Sequence, residues 1–291
     1  MGNQGHHLQR MIFLNQAIFR TGPSDNSSIA SRRPWPGYGV IQDEMNIADS
    51  NYNSLESKLS QRFANGLTFS VAFTWSRAID DGSGDRDGTL YPNNSYQLYK
   101  ERGMATFNQP HRFVTNFVYD LPLGPGKSHF NHGLTGALVG GWQVGGIFTA
   151  RSGLPLQGPT ISDGQGPNVG NPNSLYPNYT GISPVPTNRN LQNWWNAAAF
   201  DVNNPNLGYQ PGSAGRLALI GIGSVGFDAS LARFFTIKES HKLNVRLDAF
   251  NSTNHPNYST PATNPNSPTT FGIVTTAGAM RILQLSAKYS F

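Results

Sequence analysis

Four aspartates crowd one glycine-rich stretch of the chain: Asp80, Asp81, Asp85 and Asp87. Carboxylate oxygens are the ligands that Ca²⁺ prefers in proteins, so this stretch is a candidate cation-binding loop. The stretch lacks the glycine and glutamate positions of an EF-hand loop, however. A solvated acidic turn without a metal is the alternative, and the sequence favours it.

Two adjacent tryptophans, Trp194 and Trp195, lie in the longest stretch without hydrophobic periodicity. Indole rings present flat faces on which a sugar or another ring ligand can stack. The same rings can equally serve as a packing anchor within their own loop. The sequence leaves both roles open and favours the packing anchor.

The sequence predicts no enzyme, no cofactor and no metal centre. The chain has no cysteine, which excludes thiol catalysis, disulfides and cysteine zinc sites. His111 and His255 each stand alone beside a proline, without metal-ligand spacing. No Ser–His–Asp or paired-carboxylate arrangement can be argued. The Gly221-Ile222-Gly223 sequence lacks the strand and helix that a nucleotide-binding loop requires.

The composition favours many strands with long irregular connections. Charged residues make up 13% of the 291 residues, about half the usual share, and the chain contains 32 glycines and 20 prolines. Lysines and arginines are scattered, and the net charge is only +5. No basic cluster marks a nucleic-acid interface, so we expect no nucleic-acid partner.

The last stretch of the chain, Ala277 to Phe291, shows the clearest pattern. Apolar and polar residues alternate, which predicts a strand with one apolar and one polar face. The alternation ends on an aromatic residue. Such a strand resembles the C-terminal strands of outer-membrane barrels, which implies that it is inserted by a barrel-assembly machinery. The residues that the resemblance assigns to this insertion are Leu283, Leu285, Tyr289 and Phe291.

Similar alternation predicts further antiparallel strands along the chain, joined by a tight hairpin turn at residues 64–66 in one case. The segment Leu8 to Arg20 is apolar but only loosely periodic, and it is a candidate strand. Leu134 to Val139 is predicted to form a helical turn. The remaining predicted strands are Tyr52 to Phe63, Leu67 to Ile79, His111 to Leu121, Gly141 to Arg151, Phe227 to Ile237 and Leu243 to Phe250.

The predicted connections alternate between long and short. Counted back from the last strand, the long ones are 251–276, 152–224, 80–108 and 21–51, and the short ones are 238–241, 122–140 and 64–66. Outer-membrane barrels have long external loops and short periplasmic turns. The pattern therefore favours an all-β, antiparallel, up-and-down transmembrane barrel in the outer membrane of a Gram-negative bacterium. A soluble β-sandwich is the alternative.

In such a barrel the polar face lines the lumen and the apolar face contacts lipid. Two arginines fall on the apolar face: Arg281, near the outer end of its strand, and Arg233, which we place near the middle beside a bulge or register shift. The predicted lumen-facing residues are Arg112, Asn116, Asp120, Gln143, Asn244, Arg246, Asp248, Gln284 and Lys288.

Several stretches, in order, resemble the C-terminal barrel of TonB-dependent outer-membrane receptors of the Oar-like group that is abundant in acidobacteria. Each is short, and together they cover the chain from about residue 30 to its end. They are residues 33–39 (RPWPGYG), 50–55 (SNYNSL), 73–80 (FTWSRAID), 107–113 (FNQPHRF), 140–143 (GGWQ), 214–216 (AGR) and 249–257 (AFNSTNHPN).

The resemblance implies a role in energy-coupled uptake of a bulky nutrient, an oligosaccharide or a peptide. Members of this group have a signal peptide, a plug domain and a barrel of about 22 strands. Residues 1–9 show no signal peptide and no segment could form a transmembrane helix. We therefore expect residues 1–291 to be the last seven to eight strands of such a barrel, without plug or TonB box.

The expected partners are outer-membrane lipid, the remainder of the receptor, the barrel-assembly machinery, and TonB only through the missing N-terminal part. Two rival functions remain open. The first is a stand-alone eight-stranded outer-membrane barrel that acts as an adhesin, and the second is a secreted, soluble carbohydrate-binding β protein.

Overall fold

Alternating strands form one long antiparallel sheet in the computed structural model. The structure describes residues 1–22, 24–83, 91–161, 169–170, 175–203, 209–210, 212–237 and 241–291. The strands are β1 (Gly2–Phe13), β2 (Gln42–Arg62), β3 (Leu67–Asp80), β4 (Gly103–Met104), β5 (His111–Asp120), β6 (Trp142–Arg151), β7 (Pro155–Leu156), β8 (Asn178–Tyr179), β9 (Phe200–Asp201), β10 (Leu219–Ile220), β11 (Ser224–Thr236), β12 (Lys242–Phe250) and β13 (Ile282–Ser290).

The main sheet follows chain order, β1-β2-β3-β5-β6-β11-β12-β13, and every neighbouring pair is antiparallel. The short strand β4 pairs with the end of β3, and two small sheets, β7 with β10 and β8 with β9, lie in the connections. Within the described residues, β1 and β13 each keep one edge unpaired. We call the eight strands of the main path the wall.

Cross-strand register divides the wall into two faces. Tyr119, Val144, Leu231, Leu247 and Leu285 are successive partners in one row across five strands. Paired residues point to the same side of a sheet, so this row defines an apolar face. The neighbouring row, which runs through Asp120, Gln143, Ala232, Arg246 and Ser286, lies on the opposite, polar face.

The long connections 14–41, 81–110, 152–223 and 251–281 leave one end of the wall, and the short ones, 63–66, 121–141 and 237–241, leave the other. The predicted alternation of long and short connections is therefore confirmed. The short helix α1 (Gly133–Val139) forms where a helical turn was predicted. No helix among the described residues is long and apolar enough to cross a membrane.

Several strand boundaries differ from the sequence prediction. Strand β1 ends at Phe13 rather than Arg20, and β2 begins at Gln42, inside the stretch predicted as a loop. Strand β2 has 21 residues, whereas roughly 9–11 residues cross a bilayer. Residues 42–51 therefore need no continuous apolar face, and the sequence has none there. The last strand begins at Ile282 rather than Ala277, since Ala277 forms a bridge with Tyr258 within the connection.

The predicted bulge at Arg233 is wrong. The register of β11 with both neighbours continues through Arg233 without a shift, and Arg233 pairs with Trp142 at the start of β6. It therefore lies near the short-turn end of the wall rather than in the middle. Its guanidinium carbon lies 5.3 Å from the centre of the Trp142 ring and 4.3 Å from that of Phe235, and its Nε donates to the Gly140 carbonyl (3.1 Å). Aromatic rings and a turn carbonyl thus accommodate the charge.

Candidate functional site

The polar face of the wall is the first part of the candidate site. Register places all nine predicted lumen-facing residues, from Arg112 to Lys288, on this one face. The Gln143 amide donates to Asp120 (2.7 Å), and Arg246 pairs with Asp248 (2.7 Å). The face is hydrophilic and carries both signs of charge. Its assignment to the lumen stays a prediction.

The long connections do not extend freely from the wall but fold over its polar face. Alternate residues of β3 show this: Ser76, Ala78 and Asp80, on the polar face, are buried, whereas Trp75 and Arg77, on the apolar face, are exposed. Backbone alternation means that only one side of β3 is covered. We call the folded part of the connections 81–110, 152–223 and 251–281 the cap.

An ion pair joins the cap to the wall. Arg216, in the connection after β6, donates through Nη2 to the carboxylate and the carbonyl oxygen of Asp80 at the end of β3, and both side chains are almost fully buried. Arg216 also donates through Nη1 to the Ser83 hydroxyl (3.1 Å) and through Nε to the Glu101 carbonyl (2.9 Å). One guanidinium thus joins its own segment to residues 80–83 and to Glu101, which suits its fixed fork of donors.

Glu101 is the second buried carboxylate of this junction, with an exposed fraction of 1%. Its Oε1 accepts from the Asn93 backbone N–H (2.7 Å) and its Oε2 from the Tyr176 hydroxyl (3.0 Å). Burial raises the pKa of Glu101, and the opposing effects of Arg10 and these hydrogen bonds do not cancel the rise. Burial and the neighbouring Glu101 also raise the pKa of Tyr176 well above its usual value.

A hydrophobic core stabilises the rest of the cap. Its buried residues come from the two connections that flank β11 and β12: Trp195, Ala199, Phe200, Leu219 and Phe271. The rings of Phe200 and Phe271 meet edge to face (5.9 Å), and the backbone N–H of Trp194 donates to the Gly272 carbonyl (2.9 Å). The two connections therefore form one packed unit.

The two tryptophans differ in exposure. Trp195 is 3% exposed, so it has the packing role that the sequence left open and presents no free ring face. Trp194 is half-buried, and the Arg189 guanidinium stacks 3.7 Å from its ring centre. A ligand would have to displace Arg189 from that face. The two indoles lie edge to face at 6.4 Å.

Two of the four aspartates of the predicted cation-binding loop, Asp80 and Asp81, lie within the described residues. Asp80 is buried in its ion pair with Arg216, and the Asp81 carboxylate accepts from the Asp49 N–H (2.9 Å). Asp85 and Asp87 lie outside the described residues. Among the residues that the structure describes, no group of three or more histidine, cysteine, aspartate or glutamate side chains could hold a metal ion.

Sequence reasoning missed the contributions of Arg216, Glu101 and Tyr176, which lie far apart in the chain. The AGR motif at 214–216 was the one available signal.

The asparagine-rich motif after β12 has a structural role. Asn251 adopts a left-handed conformation (φ 48°); its Oδ1 accepts from the His255 backbone N–H (2.9 Å), and its Nδ2 donates to the His255 carbonyl (3.0 Å). Asn254 and Asn257 accept from the Arg281 and Val225 N–H groups.

These features define an antiparallel wall that is apolar on one face and polar on the other, with long capped loops at one end and short turns at the other. That is the architecture of a transmembrane β-barrel wall. The chain matches the family described as outer membrane beta barrel domain over residues 1–284 and belongs to that family. The protein is therefore an outer-membrane β-barrel protein of a Gram-negative bacterium. No curated protein matches the sequence.

Proposed function

We propose that this chain forms the C-terminal part of the barrel of a TonB-dependent, Oar-like transporter that takes up a bulky oligosaccharide or peptide. The polar face would line the lumen and face a plug domain, and the cap would receive the nutrient. The proposal assigns transport to the protein, with no catalysis and no cofactor. Membership of the outer-membrane barrel family excludes the rival hypothesis that the chain is a secreted, soluble protein.

The cap over the polar face is the observation that carries this proposal. A barrel of about eight strands has an interior just wide enough for its own side chains. Here the polar-face residues Ser76, Ala78 and Asp80 are instead buried by folded connections that have their own aromatic core. A wide barrel accommodates such a cap at its mouth, which supports a large transporter.

The unpaired edges of β1 and β13 support the same proposal. The bilayer core contains no water that could satisfy the N–H and C=O groups of an open edge. In the proposed barrel, further strands of the receptor would pair with these two edges. The other proposed partners are outer-membrane lipid, the barrel-assembly machinery acting on β13, and TonB through the N-terminal part of the receptor; no nucleic acid is involved.

One observation favours the rival, a stand-alone barrel. The wall contains eight long strands, an even number that single-chain bacterial barrels use. In that case β1 would pair directly with β13. The two proposals therefore differ in the neighbours of these two strands.

Cysteine cross-linking distinguishes the two barrels, because the natural chain has no cysteine. One cysteine replaces Gln4 in β1, and a series of single cysteines replaces residues 283–289 of β13, in protein located in the outer membrane. The transporter proposal predicts no β1–β13 disulfide in any pair. A disulfide at one register would overturn the proposal and establish the closed eight-stranded barrel.

Uptake by cells tests the transport function itself. Cells would be given fluorescent oligosaccharides and oligopeptides too bulky for passive pores, with and without the gene and with and without the proton-motive force. We expect at least one compound to enter only when both the gene and the proton-motive force are present. Uptake that is indifferent to the gene or to the proton-motive force for every compound would contradict the proposal.

A further inference from the structure

A cleft of about 610 Å³ lies on the apolar face, at the long-loop end of the wall. Its floor is formed by Phe148, Val225 and Phe227, of which Phe148 and Phe227 are register partners on β6 and β11. Its rim is the segment Thr253–Pro256, which folds down over the outside of the wall. The volume is within the usual range for ligand clefts, roughly 300–1,000 Å³.

Position identifies the surroundings of this cleft. Long connections of outer-membrane barrels are external, and the apolar face contacts lipid. The cleft therefore opens towards the outer leaflet of the outer membrane, with its aromatic floor at the level of acyl chains and its rim at the level of headgroups. Neither the wall register nor the cap core uses the rim residues Thr253 and Pro256.

The rim carries a guanidinium. Residues 251–291 contain no aspartate or glutamate, and of their basic residues Arg281 and His255 lie at this end of the wall, whereas Lys288 lies on the polar face near the other end. The Arg281 N–H is held by the Asn254 side chain (3.0 Å), and its guanidinium reaches the Ser252 carbonyl at 3.5 Å, which places it beside the rim and exposed. Within the described part of the chain, the His255 ring has no hydrogen-bond partner, and it too is exposed.

We propose that this cleft binds one phosphorylated lipid of the outer leaflet, with an acyl chain on the aromatic floor and a phosphate held by Arg281 and His255. An apolar cleft alone would accept any acyl chain. The guanidinium at its rim adds specificity, since Arg forms charge-assisted hydrogen bonds with phosphate oxygens. This site lies outside the barrel, so it is independent of the proposed transport function.

The test uses protein extracted from outer membranes in mild detergent, freed of lipid, and mixed with lipid A or with the same lipid A after enzymatic dephosphorylation. Native mass spectrometry measures the fraction of protein that carries lipid. We expect about tenfold tighter binding of the phosphorylated form, the equivalent of one charge-assisted hydrogen bond.

Two variants change the site and two matched variants leave it intact. Arg281→Gln should lose the preference for phosphate, and Val225→Trp should fill the cleft and weaken binding of both lipids. Arg233→Gln changes another arginine of the apolar face, and Leu231→Trp introduces the same indole on the same face of the same strand; both should bind as the natural protein does.

Heat-dependent migration in gels verifies that each variant is folded before binding is compared. Equal binding of the two lipids by the natural protein would overturn the proposal. The same holds if Arg281→Gln keeps the preference for phosphate, or if Val225→Trp binds no more weakly than Leu231→Trp.

Discussion

The wall and the cap bury opposite kinds of surface. In the wall, large apolar side chains are exposed: Leu285 is 75% exposed and Leu55 is 60% exposed. In the cap, Trp195 and Leu219 are almost completely buried, at 3% and 0%. The wall is built for a surrounding solvent that is itself apolar, whereas the cap is built like a small water-soluble core.

This difference changes what stabilises each region. Wall strands satisfy their backbone groups by pairing, and in the proposed barrel lipid would cover their apolar face. The cap consists mostly of irregular segments, so it depends on a hydrophobic core and on buried polar contacts such as Arg216 with Asp80. A substitution should therefore have different effects in the two regions.

The largest expected effect comes from Arg216→Ala. Removal of this guanidinium leaves the Asp80 carboxylate buried without a partner, which costs about 3–5 kcal/mol. We expect the cap to open while the wall stays assembled. Limited proteolysis of residues 91–110 and 175–203 should become faster, with unchanged heat-dependent migration of the wall.

The matched control is Arg246→Ala, which removes a partly exposed arginine–aspartate pair; such a pair near the surface is worth about 0–1 kcal/mol. If both variants gave the same proteolysis pattern, the ion pair would not be the anchor of the cap.

A charge on the apolar face should have the next largest effect. Leu285→Arg places a charge in lipid, at a cost of about 2–4 kcal/mol near the bilayer midplane. Its neighbour Gln284 lies on the polar face, so Gln284→Arg should cost little. Unfolding from lipid vesicles by guanidinium measures both, and equal losses would refute the assignment of the two faces.

A smaller loss is expected for Gly146→Val. A side chain at this position would meet the Phe117 and Phe227 rings at 2.6 and 2.8 Å, so these two rings would have to move. Overpacking of this kind costs about 1–3 kcal/mol. A side chain added at Gly226 would meet no atom within 4 Å outside its chain neighbours, which makes Gly226→Val the control in the same unfolding experiment.

The smallest expected effect is a pH dependence of the cap. Because burial raises the pKa of Glu101 above its ordinary value of 4.5, the folded cap binds this proton more tightly than the unfolded cap. The contribution of Glu101 to cap stability should thus rise as the pH falls through the raised pKa towards 4.5. Hydrogen exchange of the cap amides at several pH values measures this, and Glu101→Gln should remove that dependence. If hydrogen exchange in Glu101→Gln depended on pH as it does in the natural protein, Glu101 would not be the source of the pH dependence.

Much of the wall could be predicted from the sequence, because the polarity pattern that defines each strand lies within that strand. Alternation of period two determines which face of a strand is apolar, and this pattern does not depend on distant residues. The strand boundaries failed where this signal ended, as at Gln42, where β2 extends beyond the apolar band. The Arg233 bulge failed because aromatic neighbours on β6 and β11 accommodate the charge in register.

The cap could not be predicted in this way. Arg216, Asp80 and Glu101 are separated by long stretches of chain, and no local pattern relates them. Trp195 likewise is a core residue only because the connection after β12 brings Phe271 and Gly272 to it.

The sequence by itself determined the two-faced strands and the alternation of their connections, since both follow from local polarity. Only the tertiary structure decided which loops pack together and which charges are buried, because these depend on contacts between residues far apart in the chain.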